Sequence, residues 1–290
     1  MVFAVALTGD IGAGKSTLAH LWGSMGALRI SADEVVADLW NAHKPLRSAA
    51  KGRWGEDLFD SNEALRKDLL CARAFANSEE YRHLCEMIHP LVEERIDDAY
   101  RECRGWFVAE IPLLFERGVP WWADVTVYVT ARREEQLKRN AERGKSGEWF
   151  AMMESHLLQR EERLSLARIV LENSASREEF AKAGRILGKR FQAMASVVEM
   201  AWSCSSLERI TRVRGILESR SLGTFFHLER QSFERDTLSL SWLSLERHFP
   251  HILKTLQEER DGEDPWRGLR ALSPRRMELE ILEKIVEVCP

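Results

Sequence analysis

Two rhythms of apolar residues alternate along the first 190 residues of this chain. Residues 2–8 are an unbroken apolar run closed by Gly9, the pattern of a strand buried on both faces of a parallel sheet. From Lys15 to Met25 the period changes to that of a helix, with Leu18, Leu21 and Trp22 on one face. A short strand over 27–30 follows, and Ser31 or Asp33 can cap the next helix, which runs through Trp40. Residues 44–102 read as mostly helical, with caps at Ser61 and Ser78 and a helical stripe of Tyr81, Leu84, Ile88, Leu91, Val92 and Ile96. Strands are expected over 106–111, over the β-branched run 124–130 and, more weakly, over 167–171. Helices are expected over 132–144 and 147–165 and from Ser176 onward.

Strands alternating with helices specify an α/β fold with a parallel sheet flanked by helices. Beyond about Arg190 the alternation stops. Leu207, Ile210, Val213 and Leu217, then Leu279, Leu282, Ile285 and Val286, keep a helical period. The expectation is therefore two units: an α/β domain over 1–190 and an α-helical extension over 191–290. Trp202, Trp242, Trp266 and the pair Phe225–Phe226 give the extension enough apolar content to pack, and self-association through it is one expected use.

Composition adds exclusions. The formal net charge is −4, with 44% hydrophobic and 30% charged residues, so no general basic field points to nucleic acid. An anionic substrate must be held by a local group of Lys and Arg. The five cysteines, Cys71, Cys85, Cys103, Cys204 and Cys289, are scattered without metal-ligand spacing and read as reduced thiols. The N-terminus lacks the charged start of a signal peptide and no apolar stretch is long enough to span a membrane, so a cytoplasmic protein is expected.

The chemistry is concentrated in Gly9-Asp10-Ile11-Gly12-Ala13-Gly14-Lys15-Ser16, with Thr17 next, a full match to G-x-x-x-x-G-K-[ST]. Such a loop turns its backbone N–H groups inward onto phosphate oxygens, and the helix behind it places its positive end on the same phosphates. Lys15 reaches the terminal phosphates and the Ser16 hydroxyl is suited to Mg²⁺. The loop follows an apolar strand and opens a helix, the context that separates it from a chance match. It implies ATP as phosphoryl donor but does not name the acceptor.

The rest of the chain resembles one family. The opening VALTGDIGAGKSTLA with ISADEVVADLW, then Phe75-Ala76-Asn77, His89-Pro90-Leu91, Ile111-Pro112-Leu113-Leu114-Phe115-Glu116 and Gln136-Leu137-Lys138-Arg139…Arg143, follow in the order found in dephospho-coenzyme A kinases; Gln159 and Asn173 fall where that family has Gln and Asn. The resemblance covers about two-thirds of the chain. It implies transfer of the ATP γ-phosphate to the ribose 3′-hydroxyl of dephospho-coenzyme A. It implies Asp33 as base for the attacking hydroxyl, a position that also suits a helix cap. It implies Arg139 and Arg143 as phosphate-facing donors; on residues alone, two arginines four apart fit a solvated helix face as well. Glu110 at a strand end is either a second Mg²⁺ group or a structural carboxylate. His89, Lys67 and Glu116 are the candidate substrate contacts, although Glu116 can equally organise its loop. The segment 144–147 can hinge a lid, and Trp54, Phe59, Phe75 and Tyr81 either hold the coenzyme's arm or form plain core. Ser31 departs from the family, which has an Asp there. A related nucleoside or nucleotide kinase, and a degenerate nucleotide-binding sensor, are the alternative functions.

Overall fold

The computed structural model describes residues 2–204, 206–231, 237–258, 269–272 and 279–288, so that Trp266 and Cys289 lie outside the described residues. The apolar runs form the strands expected of them. Strands β1 (Val2–Gly9), β2 (Leu28–Ser31), β3 (Gly105–Glu110), β4 (Val125–Thr130) and β5 (Ile169–Glu172) make a five-stranded sheet in the order β2-β3-β1-β4-β5. Every neighbouring pair is parallel. The chain leaves the central β1 for one side of the sheet and later returns to the other. The crevice at the carboxyl end of β1 is therefore the switch point where such sheets bind ligands.

Alternation along β1 sends its two faces into different cores. Phe3, Val5 and Leu7 join Trp106, Val108, Val127 and Val129 under helices α1 (Lys15–Ser24) and α10 (Arg177–Ala195). Ala4 and Ala6 face the opposite layer, built by α2 (Ala32–Ala42), α3 (Lys44–Trp54), α4 (Lys67–Ala74) and α5 (Ser78–Glu102). Helices α6 (Leu114–Arg117), α7 (Arg133–Glu142), α8 (Gly147–Glu154) and α9 (Arg160–Leu166) border the carboxyl edge of the sheet.

Several local expectations give way to tertiary contacts. The cap of α5 is Asn77, whose side chain accepts from the N–H groups of Glu79 and Glu80 at 3.0 Å, rather than Ser78. Ser61 lies in a turn organised by Asp60, which accepts from Asn62 and Ala64. Pro90 does not break α5, so His89 is helical despite its place before a proline. The single helix expected over 147–165 is two, because the backbone between them bonds elsewhere: Leu158 donates its N–H to Glu116 Oε1 at 2.9 Å and gives its carbonyl to Arg163 Nε at 3.0 Å.

The extension is not all-helical. After α10 runs on to Ala195, β6 (Val197–Cys204), α11 (Leu207–Ser219), β7 (Thr224–Gln231), β8 (Thr237–Leu245), α12 (Phe249–Glu258) and β9 (Leu269–Leu272) follow, then α13 (Leu279–Val288). Its strands form an antiparallel sheet in the order β7-β8-β6-β9, the β-α-β-β-α-β arrangement of ferredoxin-like units. The reason is a period of two: Leu238, Leu240 and Trp242 point into a core with Met200, Trp202, Ile210, Val213 and Leu217, and serines alternate with them in β8.

The extension also completes the first unit. Val197, Leu245, Leu282 and Ile285 belong to the same core as Phe3, Trp106 and Phe191. Arg168 reaches Glu280 and Glu283, and Arg190 reaches Glu283 and Glu287, along the edge of α13. Those exposed ion pairs add little; the apolar contact decides the docking. Ile285 is fully buried. Ile285→Asp should therefore destabilise the whole chain by about 3 kcal/mol or more, read as one lowered melting transition for nucleotide-binding domain and extension together. Two separate transitions, with only the later one shifted, would show that the units fold independently.

Candidate active site

The phosphate loop is shaped by a clash that only glycine avoids. Gly9 has φ of 146°, and a Cβ built there would stand 2.0 Å from the Val129 carbonyl oxygen. Gly14 has φ of 105° and abuts the Asn173 amide, whose nitrogen donates to the Ala13 carbonyl at 2.7 Å. The first N–H groups of α1 have no partner inside the helix and open into the loop. Lys15 folds back over it, donating to the carbonyls of Gly9 at 3.1 Å and Asp10 at 3.0 Å.

Three charged groups converge on this point. Glu110, at the end of β3, is buried and accepts from Ser16 Oγ at 2.7 Å. Asp33 stands at the start of α2, exposed to the cleft yet enclosed by its concave walls. Burial raises the carboxyl pKa values of both Glu110 and Asp33; Ser16 and then Lys15 oppose this at Glu110, and Lys15 opposes it at Asp33. Lys15 is lowered from the usual lysine range by burial, while Glu110 and Asp33 hold its proton on. Ser31 is buried, pairs in register with Glu110 and makes no side-chain cap bond, so no second carboxylate stands beside Glu110 on β2.

A cleft of about 540 Å³ opens from this cluster, lined by Gly9, Lys15 and Asp33 at one end and by His89, Trp121 and Trp122 farther along. The far wall is aromatic and hydrogen-bonded. Asp97 accepts from Trp122 Nε1 at 2.9 Å and Trp121 Nε1 at 3.4 Å, and Arg117 pairs with Glu93 at 3.0 Å. Across the mouth, Tyr81 of α5 stacks on His156, between α8 and α9, at 4.3 Å.

The expected site residues divide. Lys15, Asp33, Ser16 and Glu110 meet. His89 lines the cleft with Nδ1 buried and without a hydrogen-bond partner among the described residues, and burial lowers its pKa. Arg139 does reach the loop, but it donates to the carbonyls of Gly12, Ala13 and Asn173 at 3.2–3.4 Å and so buttresses the loop from behind. Arg143 is the exposed C-cap of α7 rather than part of its face. Lys67 is exposed at the start of α4 and does not line the cleft. Glu116 also stays outside the lining, holding Leu158. The side chain of Asp10 is buried away from solvent and its N–H is spent on the Val129 carbonyl at 2.9 Å, so within the loop it serves as an anchor. Trp54 and Phe59 are core, whereas Tyr81 faces the cleft. Arg117, Trp121 and His156 carry no sequence signal; only the fold brings them to the cleft.

With this geometry in place, comparison with known proteins is decisive. The model of the dephospho-CoA kinase family matches residues 3–179, more than half of the chain. The chain belongs to the dephospho-CoA kinase family. Among relatives, the dephospho-CoA kinase of Corynebacterium diphtheriae is 32% identical over 192 residues, which is 64% of this chain and 96% of that one. That of Escherichia coli K12 is 29% identical over 198 residues, 68% of this chain and 96% of that one. A crystal structure from Thermus thermophilus superposes with a TM-score of 0.55 at 29% identity, over 64% of this chain and 95% of that one. The family match stops before β6, so the antiparallel unit is an addition to a complete family domain. Among the described residues no helix is long and apolar enough to cross a membrane.

The raised carboxyl of Asp33 gives this site of the family a pH signature. An acceptor hydroxyl can lose its proton to Asp33 only while Asp33 is ionised. Turnover should therefore fall as the pH drops through a value above the ordinary carboxylate pKa of about 4. Asp33→Asn should lower turnover by about 100-fold and flatten that acid limb, measured as kcat against pH at saturating Mg-ATP. An unchanged limb in the variant would assign the titration to another group.

Proposed function

We propose that this chain transfers the γ-phosphoryl group of ATP to the 3′-hydroxyl of the ribose of dephospho-coenzyme A, giving coenzyme A and ADP. The observation that carries the reading is the continuity of one cleft. It begins where the phosphate loop faces Asp33 and runs on past His89 to Trp121 and Trp122, so one cavity holds both the phosphate site and an aromatic far wall. In this reading the loop amides and Lys15 hold the terminal phosphates of ATP. Asp33 takes the proton as the acceptor oxygen bonds to phosphorus and the bond from phosphorus to the ADP oxygen breaks. Lys15, already held between the loop and two carboxylates, needs only to exchange its carbonyl partners for phosphate oxygens to follow the moving charge.

The donor set suits a hard divalent cation. Ser16 Oγ and Glu110 are oxygen groups already 2.7 Å apart. Mg²⁺ held there would neutralise phosphate charge. Arg29 adds a fixed cation at the same wall, paired with Glu34 at 2.6 Å, with Nη1 buried and unbonded. The far half of the cleft suits the acceptor's long amide-bearing arm. Arg117 lines the cleft together with the tryptophans, and Trp121 is 60% exposed, offering the arm its ring.

Purified full-length protein with Mg-ATP should release ADP only when dephospho-coenzyme A is present, with coenzyme A as the other product. ADP release with another nucleoside acceptor and none with dephospho-coenzyme A would replace this reading by the related-kinase alternative. Trp121→Ala should raise KM for dephospho-coenzyme A about tenfold, about 1.4 kcal/mol of binding, and leave KM for ATP within about twofold. An unchanged acceptor KM would remove Trp121 from the arm's seat.

A further inference from the structure

The second position of the phosphate loop is free to vary in the motif, and here it holds a carboxylate that is 2% exposed. Five donors from three other elements share its two oxygens. On Oδ1 the Tyr128 hydroxyl donates and Arg163 Nη2 lies at 3.5 Å. On Oδ2 the Thr130 hydroxyl donates at 2.6 Å, Gln136 Nε2 at 3.2 Å and Arg160 Nε at 3.3 Å. Tyr128 and Thr130 belong to β4, Gln136 to α7, and both arginines to α9. The backbone of the same residue builds the loop: its N–H donates to Val129, and its carbonyl accepts from Ala13 N–H at 3.1 Å and from Lys15 Nζ at 3.0 Å. Arg160 closes the circuit by donating to the Thr130 hydroxyl at 2.8 Å.

We propose that Asp10 is a positioning residue, the joint through which the phosphate loop and helix α9 hold each other in place for phosphoryl transfer. An ionised carboxylate accepts about four hydrogen bonds and balances nearby cations. No other side chain of that size satisfies two guanidinium groups, two hydroxyls and an amide together. Asparagine would turn an N–H₂ toward donors. The joint matters to the reaction because α9 continues the cleft wall: Met153, His156 and Leu157, just before it, line the cleft, and His156 stacks on Tyr81 across the mouth. Loosening Asp10 therefore frees one wall of the cleft while Lys15 loses the fixed carbonyl on which it rests.

The inference rests on ATP use by this loop, not on the identity of the acceptor, so it is read first by Mg-ATP binding without acceptor. Asp10→Asn and Arg160→Gln should each weaken Mg-ATP binding and lower kcat/KM for ATP about tenfold. The double variant should fall no further than the worse single one, because both break one joint. Backbone hydrogen exchange over residues 147–166 should rise in each variant while exchange in β1 stays slow. Multiplicative losses in the double variant, or normal Mg-ATP affinity and kcat/KM with only a lowered melting temperature, would overturn the proposal and leave a purely structural ion pair. If Asp10→Asn does not fold, Arg160→Gln and Thr130→Val test the joint from its other side: affinity and exchange like those of the wild type in both would reject it. Mg-ATP binding intact in the wild type but no turnover with dephospho-coenzyme A would fail the acceptor reading and leave this inference standing.

Discussion

The turn at Gly9 is the contact on which the site depends. β1 must stop between β3 and β4, and its last residue passes so close to Val129 that no side chain fits. The chain can then only wrap back over the end of its own strand and enter α1. That path stacks the first amides of α1, the ammonium of Lys15 and the Ser16 hydroxyl over the carboxyl end of the sheet. Glu110 and Asp33 arrive at the same level for the same reason: each ends or follows a strand parallel to β1. A parallel sheet with one reversed crossover thus gathers a lysine, a serine and two carboxylates without any of them being near neighbours in sequence beyond the loop itself.

Electrostatic balance accounts for how the loop holds together. One ammonium faces two carboxylates whose burial favours their neutral forms, and its own burial favours the neutral amine. The ammonium and the carboxylates keep one another charged, while Asp33 opposes the ionisation of Glu110. A phosphate chain entering this space brings negative charge toward Lys15 and toward Asp33 and Glu110 alike. The divalent cation proposed for Ser16 and Glu110 would offset that charge. Behind the loop Arg139, Asn173 and Asp10 tie its carbonyls and backbone to α7, β4 and the segment after β5. The loop is held from behind by side chains and left open in front by its glycines.

Much of this was legible in the residues because parallel strands and phosphate loops leave dense local signals. The unbroken run before Gly9 and the β-branched run ending at Thr130 need no partner to be read as strands. The loop motif carries its own chemistry, the family resemblance points to Asp33, and Glu110 stands out as an acid at the end of an apolar strand. What escaped reading is long-range. Glu116 and Arg163 break the α8–α9 segment by claiming the backbone of Leu158, a contact that no periodicity shows. Arg143 keeps the spacing of a helix face but falls one residue past the last turn of α7. Asp10 is masked by the loop around it, because its partners lie from 118 to 153 residues away. In the extension the signal was present: Leu238-Ser239-Leu240-Ser241-Trp242 alternates with a period of two. Small serines on the other positions gave it no β-branched or charged face, so the helical stripes on either side dominated the reading.

The added antiparallel unit follows from the geometry of the first core. β1, β3 and β4 begin at the amino edge of the sheet with large apolar groups, Phe3, Trp106 and Val125, on the face that α1 and α10 cover. α10 packs along α1, and its last turns set Phe191 against Phe3, Trp22 and Trp106 in the core that the extension then shares. Val197 and Leu245 fill this end directly after the helix, and α13 returns from the chain's end to lay Leu282 and Ile285 on the same surface. The contact is apolar at its centre and ionic only at its rim, where Arg168 and Arg190 meet the acidic edge of α13. The described part of the extension thus meets the first unit at the opposite edge of the sheet from the phosphate loop, through α10 and the strands and not through the residues that line the cleft.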